Sequence, residues 1–340
     1  MALNRRNFML ALPGCAVLAG GCASAVTSHG PVHPYRELTN RAAGADAKGT
    51  VLVCMPETSQ TKEVWTGLSD ELERDFGLIA LKVEGRHGTE AISEAVRRHR
   101  PSGVVLMNNP TVLAYREFQR RAEHSPPAVI VMTSFLDGNP RNVSRATGIS
   151  YEVPLITVVT NLRRLIASPI DRVGVVLRTP LRGFVQRQAE LARQEQIGVV
   201  SELVGMEPNP AELRRALRRL KQRAHAIWVL NDDRLLTPRL ISEGWLPELN
   251  ERPFAPAIVG AASLVSPEHS FGTFAVLPDH TALGAQAASM VFDLADNRWS
   301  LDDTRVQLPL STTTTMDLTQ VRERFELRKD ALALVDHILE

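Results

Sequence analysis

The strongest constraint on the fold is a repeated alternation of short apolar segments with amphipathic ones. The apolar segments have no polar face, which is typical of strands buried on both sides of a parallel sheet. Strands are predicted at 50–55, 78–83, 103–107 and 128–132, with helices at 60–76, 89–100 and 110–123 between them. This first run predicts one doubly wound α/β lobe.

After a pause near residue 145 the alternation begins again. Strands are predicted at 172–177, 198–203, 226–230, 257–260 and 272–276, with helices at 153–167 and 209–223 and helices that end near 196 and 250. We therefore predict an α/β protein of two doubly wound, Rossmann-like lobes in succession, with a cleft between them.

Polar residues with small neighbours follow many of the predicted strands, where ligands bind in open α/β sheets. The same residue types cap helices, so each one alone is ambiguous, but a set that faces one cleft suits a small polar ligand. The planar guanidinium of Arg178 is suited to a carboxylate or phosphate and Asp232 to an ammonium. The predicted ligand-binding residues are Thr58, Ser59, Asn108, Asn109, Thr133, Ser134, Arg178, Asn231 and Asp232.

The first 22 residues have the character of an export signal. Arg5 and Arg6 precede an apolar run that ends near Gly21 and is too short to span a bilayer. The arginine pair resembles a twin-arginine signal, although the general export route stays open. The sequence LAGGC resembles a bacterial lipobox, in which Cys22 receives a lipid anchor. Residues 23–48 show no apolar period and are predicted to form a flexible tether.

Several functional classes lack support in the sequence. The formal net charge of +1 does not indicate a nucleic-acid partner, and three cysteines provide neither a disulfide framework nor zinc spacing. No HExxH, GxSxG, Walker or GxGxxG motif is present, so we predict no catalytic residues, metal or cofactor. The residues interpreted as structural are Cys54, His225, His269, His280, Ser263 and Ser266.

One helix carries a basic face formed by Arg214, Arg215, Arg218 and Arg219. We interpret this face as solvated and paired with Glu207 and Glu212, with a partner or phospholipid site as the alternative.

Four stretches resemble one family of exported proteins in the same order along the chain. They are 142–149 (NVSRATGI), 231–235 (NDDRL), 277–290 (LPDHTALGAQAASM) and 306–318, which contains VQLP and MDL. Together they resemble the ABC-transporter substrate-binding proteins that include tryptophan- and tyrosine-binding members. This sequence departs from the family pattern at His280 and Thr281, where the pattern has two tyrosines, and its aromatic content is 5%.

The resemblance implies the type I periplasmic binding fold, with three passages between lobes near 149–152, 276 and 303. Lobe 1 would comprise 49–150 and 277–303, lobe 2 would comprise 151–276 and 304–327, and 328–340 would form a C-terminal tail. Such a hinge closes around a ligand, which is then delivered to an ABC permease. The departures leave a second function open, that of a periplasmic ligand sensor acting on a kinase, or an envelope interaction protein. A LacI-type regulator would need a helix-turn-helix, which residues 1–48 do not contain.

Overall fold

The computed structural model describes residues 35–42, 44, 46–136, 143–265, 271–301 and 306–340. The predicted export signal with Arg5 and Arg6, the lipidation residue Cys22, and residues Asn142, Ser266 and His269 lie outside these ranges.

The chain up to residue 150 follows the predicted alternation. Its strands are β1 (Glu37–Arg41), β2 (Gly49–Met55), β3 (Phe76–Lys82), β4 (Gly103–Met107), β5 (Ala128–Thr133) and β6 (Ala146–Ser150). Its helices are α1 (Ser59–Leu72), α2 (Gly88–His99) and α3 (Asn109–Arg121). Caps define where these helices begin, as at α1, where Thr58 and Thr61 form a reciprocal capping box.

The chain from residue 155 repeats this plan. Its strands are β7 (Arg172–Arg178), β8 (Gly198–Val204), β9 (Ala226–Trp228), β10 (Ala257–Val259), β11 (Phe274–Pro278), β12 (Val306–Gln307), β13 (Thr312–Asp317) and β14 (His337–Leu339). Its helices are α4 (Leu155–Leu165), α5 (Arg182–Ala192), α6 (Pro210–Lys221), α7 (Pro238–Leu240), α8 (Leu246–Leu249), α9 (His280–Asp296) and α10 (Leu318–Arg324), and a π-helical turn at Ile241–Trp245 joins α7 to α8.

These strands form two seven-stranded sheets, each at the centre of one lobe. The first has the order β1-β3-β2-β4-β5-β6-β12 and the second the order β14-β13-β11-β10-β9-β7-β8. Most neighbours are parallel, and the antiparallel pairs are β1 with β3 and β11 with β13. Each sheet is covered on both faces, which makes both lobes doubly wound.

Helices cover both faces of each sheet. In lobe 1, α1 and α9 pack on one face and α2 and α3 on the other. In lobe 2, α4, α5 and α10 cover one face and α6 and α8 the other. Throughout the described ranges, no helix is both long enough and apolar enough to cross a membrane.

The chain passes between the lobes at three places. The first lies between Ser150 and Leu155, and the second between Pro278 and His280. The third follows Gln307, because Val306 and Gln307 still pair with β6 of the first sheet. This passage is later than the expected position near 303, so residues 306–307 belong to lobe 1.

Two edge strands occupy segments that the sequence assigned to a tether and a tail. Strand β1 lies within 23–48 and pairs antiparallel with β3. Strand β14 lies within 328–340 and pairs parallel with β13. Edge strands need no continuous apolar pattern, and every residue of β1 retains some exposure. The tether and tail predictions are therefore wrong at 37–41 and 337–339.

Candidate functional site

A cleft of about 690 Å³ lies between the two lobes. Lobe 1 contributes Asn109, Pro110, Leu113, Ser134 and Phe135. Lobe 2 contributes Arg178, Pro180, Leu181, Asn231, Asp232 and Asp233. The volume is in the range of small-molecule sites in proteins, and a cleft with walls from two lobes can change shape when the hinge moves.

The walls of the cleft follow the carboxyl ends of parallel strands. Residues 134–135 come directly after β5, and Arg178 is the last residue of β7. Residues 231–233 come shortly after β9, and Asn109 is the first residue of α3, just beyond β4. Parallel strands end at the same edge of a sheet, so these loops are brought together as the sequence predicted.

Five of the nine predicted ligand-binding residues line this cleft: Asn109, Ser134, Arg178, Asn231 and Asp232. The other four, Thr58, Ser59, Asn108 and Thr133, do not line it. Thr58 and Asn108 accept hydrogen bonds from backbone N–H groups as helix caps. Thr133 is fully buried, and its hydroxyl faces the Val131 carbonyl at 3.4 Å. These three side chains have structural roles that their residue types equally allow.

Arg178 and Asp232 bind each other. Nε of Arg178 donates to Oδ2 of Asp232 at 2.7 Å, and Nη2 donates to Oδ1 at 2.6 Å. The Asp232 side chain is 2% exposed and that of Arg178 is 13% exposed. The hydrogen bond to Asp232 raises the pKa of Arg178. The sequence assigned these two residues to opposite charges on a ligand, whereas the structure pairs the two charges within lobe 2.

Two further hydrogen bonds hold this pair in place. Oδ1 of Asp232 accepts a further hydrogen bond from the Arg234 backbone N–H at 3.0 Å. Nη1 of Arg178 donates to the Met206 carbonyl at 3.3 Å. The pair is therefore a fixed part of the wall, and the neighbouring Asp233 is the exposed carboxylate of the cleft. The predicted ligand-binding set includes Asp232 and leaves out Asp233, although its position directly after Asp232 was a usable signal.

Asn231 is held by a close contact with Gly260. Its Nδ2 donates to the Gly260 carbonyl at 2.9 Å. A Cβ at residue 260 would lie 2.6 Å from the same nitrogen, so this approach requires glycine. Because the amide nitrogen faces a carbonyl, Oδ1 of Asn231 remains as an acceptor.

Phe135 connects the two lobes. It follows β5 in lobe 1, and its ring packs edge-to-face against Phe184 of lobe 2 with 5.2 Å between centroids. Its backbone N–H donates to Oε2 of Glu152 at 2.8 Å. A second cavity of about 30 Å³ shares Phe135 and Asn231 with the cleft and has room for about one or two water molecules. Phe135 thus contributes both to the cleft and to the packing between lobes.

The first two passages between lobes are also linked by side chains. The hydroxyl of Tyr151 lies 3.0 Å from Nε2 of His280, and Nδ1 of His280 lies 2.8 Å from Oε2 of Glu63 on α1. With a neutral imidazole, Nδ1–H donates to the carboxylate and Tyr151 donates to Nε2. His280 therefore has a structural partner at each nitrogen, and burial raises the pKa of Tyr151 to about 12.

Other chemistry-bearing residues have structural surroundings. Cys54 is fully buried in β2, and burial raises the pKa of its thiol. His225 lies within 3.4 Å of the Asp171 backbone N–H and of Arg172. Over the described ranges, no group of three or more His, Cys, Asp or Glu side chains is placed to hold a metal ion.

The basic face of α6 is partly paired, with partners that differ from the expected ones. Arg218 pairs with Glu248 at 2.8 Å and Arg219 with Glu202 at 2.7 Å. Of the expected acids, Glu207 pairs with Arg234 instead, and Glu212 accepts from the Gly205 backbone N–H. The pairing with Glu207 and Glu212 was wrong because sequence proximity does not show which strand faces the helix.

The sequence matches no protein-family model, and a search of curated proteins finds no match. Solved structures do match. A substrate-binding protein with adhesive properties from Clostridium difficile, in its ligand-free open form, gives a TM-score of 0.59 at 13% identity, covering 85% of this chain and 98% of that one. The fold is that of the type I periplasmic binding proteins.

Two further structures agree with this fold. An ABC domain from Streptococcus pneumoniae in complex with L-Trp gives a TM-score of 0.54 at 14% identity, covering 85% of this chain and all of that one. An arabinose-binding protein from Geobacillus stearothermophilus gives a TM-score of 0.50 at 12% identity, covering 82% of this chain and 98% of that one. The predicted fold class is therefore confirmed, and the resemblance to ABC substrate-binding proteins holds at the level of the fold.

Proposed function

We propose that this chain is an exported, lipid-anchored solute-binding protein. It captures a small polar molecule between its two lobes and presents the closed form to an ABC-type permease. The observation that carries this proposal is the cleft of about 690 Å³, whose walls come from loops of both lobes. A ligand that contacts both walls stabilises the closed arrangement by its differential affinity for it.

Ligand capture is tested by a thermal-shift screen of the purified chain against amino acids, organic acids, amines, sugars and nucleosides. A ligand that binds the folded state stabilises it by about 2.7 kcal/mol at a hundredfold excess over its dissociation constant. Leu113 lines the cleft and is 46% exposed, so Leu113→Trp adds bulk there without disturbing a core. We expect this variant to lose the shift.

The matched control is Leu191→Trp, at an exposed position on α5 that does not line the cleft. It should retain the shift. A shift that survives Leu113→Trp would place the ligand elsewhere and contradict capture in the cleft.

Export and anchoring rest on the sequence of residues 1–22, and they are tested separately. The substitution Cys22→Ser should abolish incorporation of labelled palmitate and release the chain from the membrane fraction. Arg5→Lys with Arg6→Lys separates the routes, because a twin-arginine signal loses export and a general signal does not. Palmitate labelling unaffected by Cys22→Ser would contradict the anchor.

One observation favours a second function, that of a periplasmic sensor or envelope interaction protein without transport. Phe135 of lobe 1 packs against the core of lobe 2 and so joins the two lobes directly. A pair of lobes held together in this way can present a constant surface to a kinase or an assembly. Small-angle scattering distinguishes the two functions, since a transport protein contracts when its ligand is added and a constant assembly surface does not.

A further inference from the structure

The charges of the cleft do not balance. Three ionisable residues among those that the structure describes line it, Arg178, Asp232 and Asp233. The first two neutralise each other through their two short hydrogen bonds. Asp233 is exposed, and within the described part of the chain its charge acts on Arg178, whose pKa it helps to raise, without an ion pair or hydrogen bond between the two. The described walls of the cleft therefore hold two carboxylates against one guanidinium and are negative overall.

The uncharged polar groups of the walls point to the same ligand chemistry. Oδ1 of Asn109 is buried and accepts no hydrogen bond from the described residues. Oδ1 of Asn231 is left as an acceptor because Nδ2 donates to Gly260. The carboxylate of Asp233 and Oδ1 of Asn231 are thus the acceptors that the described walls offer to a ligand, and Oδ1 of Asn109 is a third acceptor that lies below the surface.

Donors are scarcer. Arg178 is the cation among the residues that line the cleft, and it donates to Asp232 through two of its nitrogens and to Met206 through the third. An incoming carboxylate would have to compete with Asp232 for the guanidinium while lying near Asp233. Both effects disfavour an anion.

The apolar part of the walls indicates the rest of the ligand. Pro110, Leu113 and Phe135 on one side face a wall that includes Pro180 and Leu181. These surfaces suit an apolar or aromatic body.

Resting on the proposed function, we propose that the cleft selects a small cationic amine with an apolar body, whose ammonium group pairs with Asp233. Oδ1 of Asn231 accepts one of its remaining N–H groups. The ligand class is thus set by Asp233, and the Arg178–Asp232 pair disfavours free carboxylates.

The test uses two sets of probes in which the body is constant and the charge varies. The first set is tryptamine, tryptophol, indole-3-propionate and L-tryptophan. The second is 1,5-diaminopentane, 1,5-pentanediol and glutarate. Binding to the full chain is measured by isothermal titration calorimetry at 20 and 300 mM salt, because the attraction of an exposed carboxylate for a cation is screened by salt.

We expect the amine of at least one set to bind tenfold or more tightly than its neutral and anionic counterparts. The substitution Asp233→Asn should remove that preference, and Asp70→Asn, at an exposed acid on α1 away from the cleft, should retain it. The preference should also weaken at 300 mM salt.

Equal or tighter binding of a neutral or anionic probe overturns the inference, and if Leu113→Trp abolishes that binding, the proposed function still stands. Amine binding that is unchanged in Asp233→Asn also overturns it. If no probe of either set binds, the inference fails, and the wider screen with Leu113→Trp decides the proposed function independently.

Discussion

Arg178 and Asp232, 54 residues apart in the chain, form a two-bonded ion pair in the wall of the interlobe cleft. β7 and β9 are neighbours in the second sheet, so the residues that follow them come together. Because both side chains are largely buried, the loss of one partner leaves the other charge without compensation.

We therefore expect Asp232→Ala to lower the free energy of unfolding by about 3 kcal/mol, the order found when a buried ion pair is broken. Replacing both partners, in Arg178→Met with Asp232→Leu, should recover most of that loss. Urea denaturation followed by circular dichroism measures these differences.

The control is the exposed pair of Arg239 and Glu243, one helical turn apart at 3.2 Å. Glu243→Ala should change stability by less than about 0.5 kcal/mol, since such pairs contribute little. If Asp232→Ala lowers the free energy of unfolding no more than Glu243→Ala does, the ion pair does not stabilise the fold. Arg178 would then be available to a ligand.

A second prediction concerns the crossing of α1 and α9, which depends on two glycines. A Cβ at Gly67 would lie 1.9 Å from the Thr281 carbonyl oxygen, and one at Gly284 would lie 2.1 Å from the Val64 carbonyl oxygen. Either alanine substitution forces the helices apart, so we expect each to destabilise the protein by about 2 kcal/mol. Thermal and urea denaturation measure the effect.

Gly183 on α5 provides the matched control, because a Cβ there comes no closer than 3.5 Å to the flexible end of Arg187. Gly183→Ala should be neutral or stabilising by up to about 1 kcal/mol from helix propensity. Loss of stability in Gly183→Ala equal to that in Gly67→Ala would show that the close crossing is not the cause.

These two sites show what the sequence could and could not predict. Strands that are buried in a parallel sheet have continuous apolar runs, which are visible in the local sequence. The bounds of β2 to β5 and β7 were therefore predicted to within one or two residues. Gly284 lies in a stretch that the family resemblance includes. The reason for a glycine there is the close approach of a backbone carbonyl of α1, which belongs to a residue more than 200 positions away in the chain.

The candidate site shows the same limit. The rule for strand ends predicted ligand-binding residues at nine positions, and five of them line the cleft. Whether Arg178 and Asp232 face a ligand or each other depends on the spacing of β7 and β9, which no local pattern contains. Edge strand β1 was missed because its mixed polar composition lacks the apolar signal, and β14 was missed because three residues are too few to show a pattern.

A third prediction concerns Phe135, whose ring joins the lobes through Phe184. Phe135→Ala removes half-buried aromatic packing, so we expect stability to fall by about 2 kcal/mol. We also expect the ligand-free chain to open, with a larger radius of gyration in small-angle scattering. Phe254→Ala, which removes a half-buried ring stacked with Arg252 and Arg324 of lobe 2, should leave that radius unchanged. An unchanged radius in Phe135→Ala would show that other contacts hold the lobes.

The last prediction concerns pH and the C-terminal strand. Oδ2 of Asp336 accepts hydrogen bonds from the backbone N–H and the hydroxyl of Thr314, both at 2.8 Å. These bonds lower the pKa of Asp336 from its ordinary value of 3.8. A carboxylate whose pKa is depressed by folding stabilises the folded state above its unfolded pKa, and this contribution is lost as pH falls through the folded pKa.

Asp336→Asn should therefore be less stable than the parent at pH 6.5 by about 1 kcal/mol, a figure reduced for the solvent exposure of the side chain. The difference should shrink as the pH falls below about 4, where the parent carboxylate takes up its proton. Urea denaturation at pH 6.5, 4 and 3 measures it, with Asp70→Asn as the exposed, unpartnered control. A difference that stays constant over this range would mean that Asp336 stabilises β14 through shape and not through its charge.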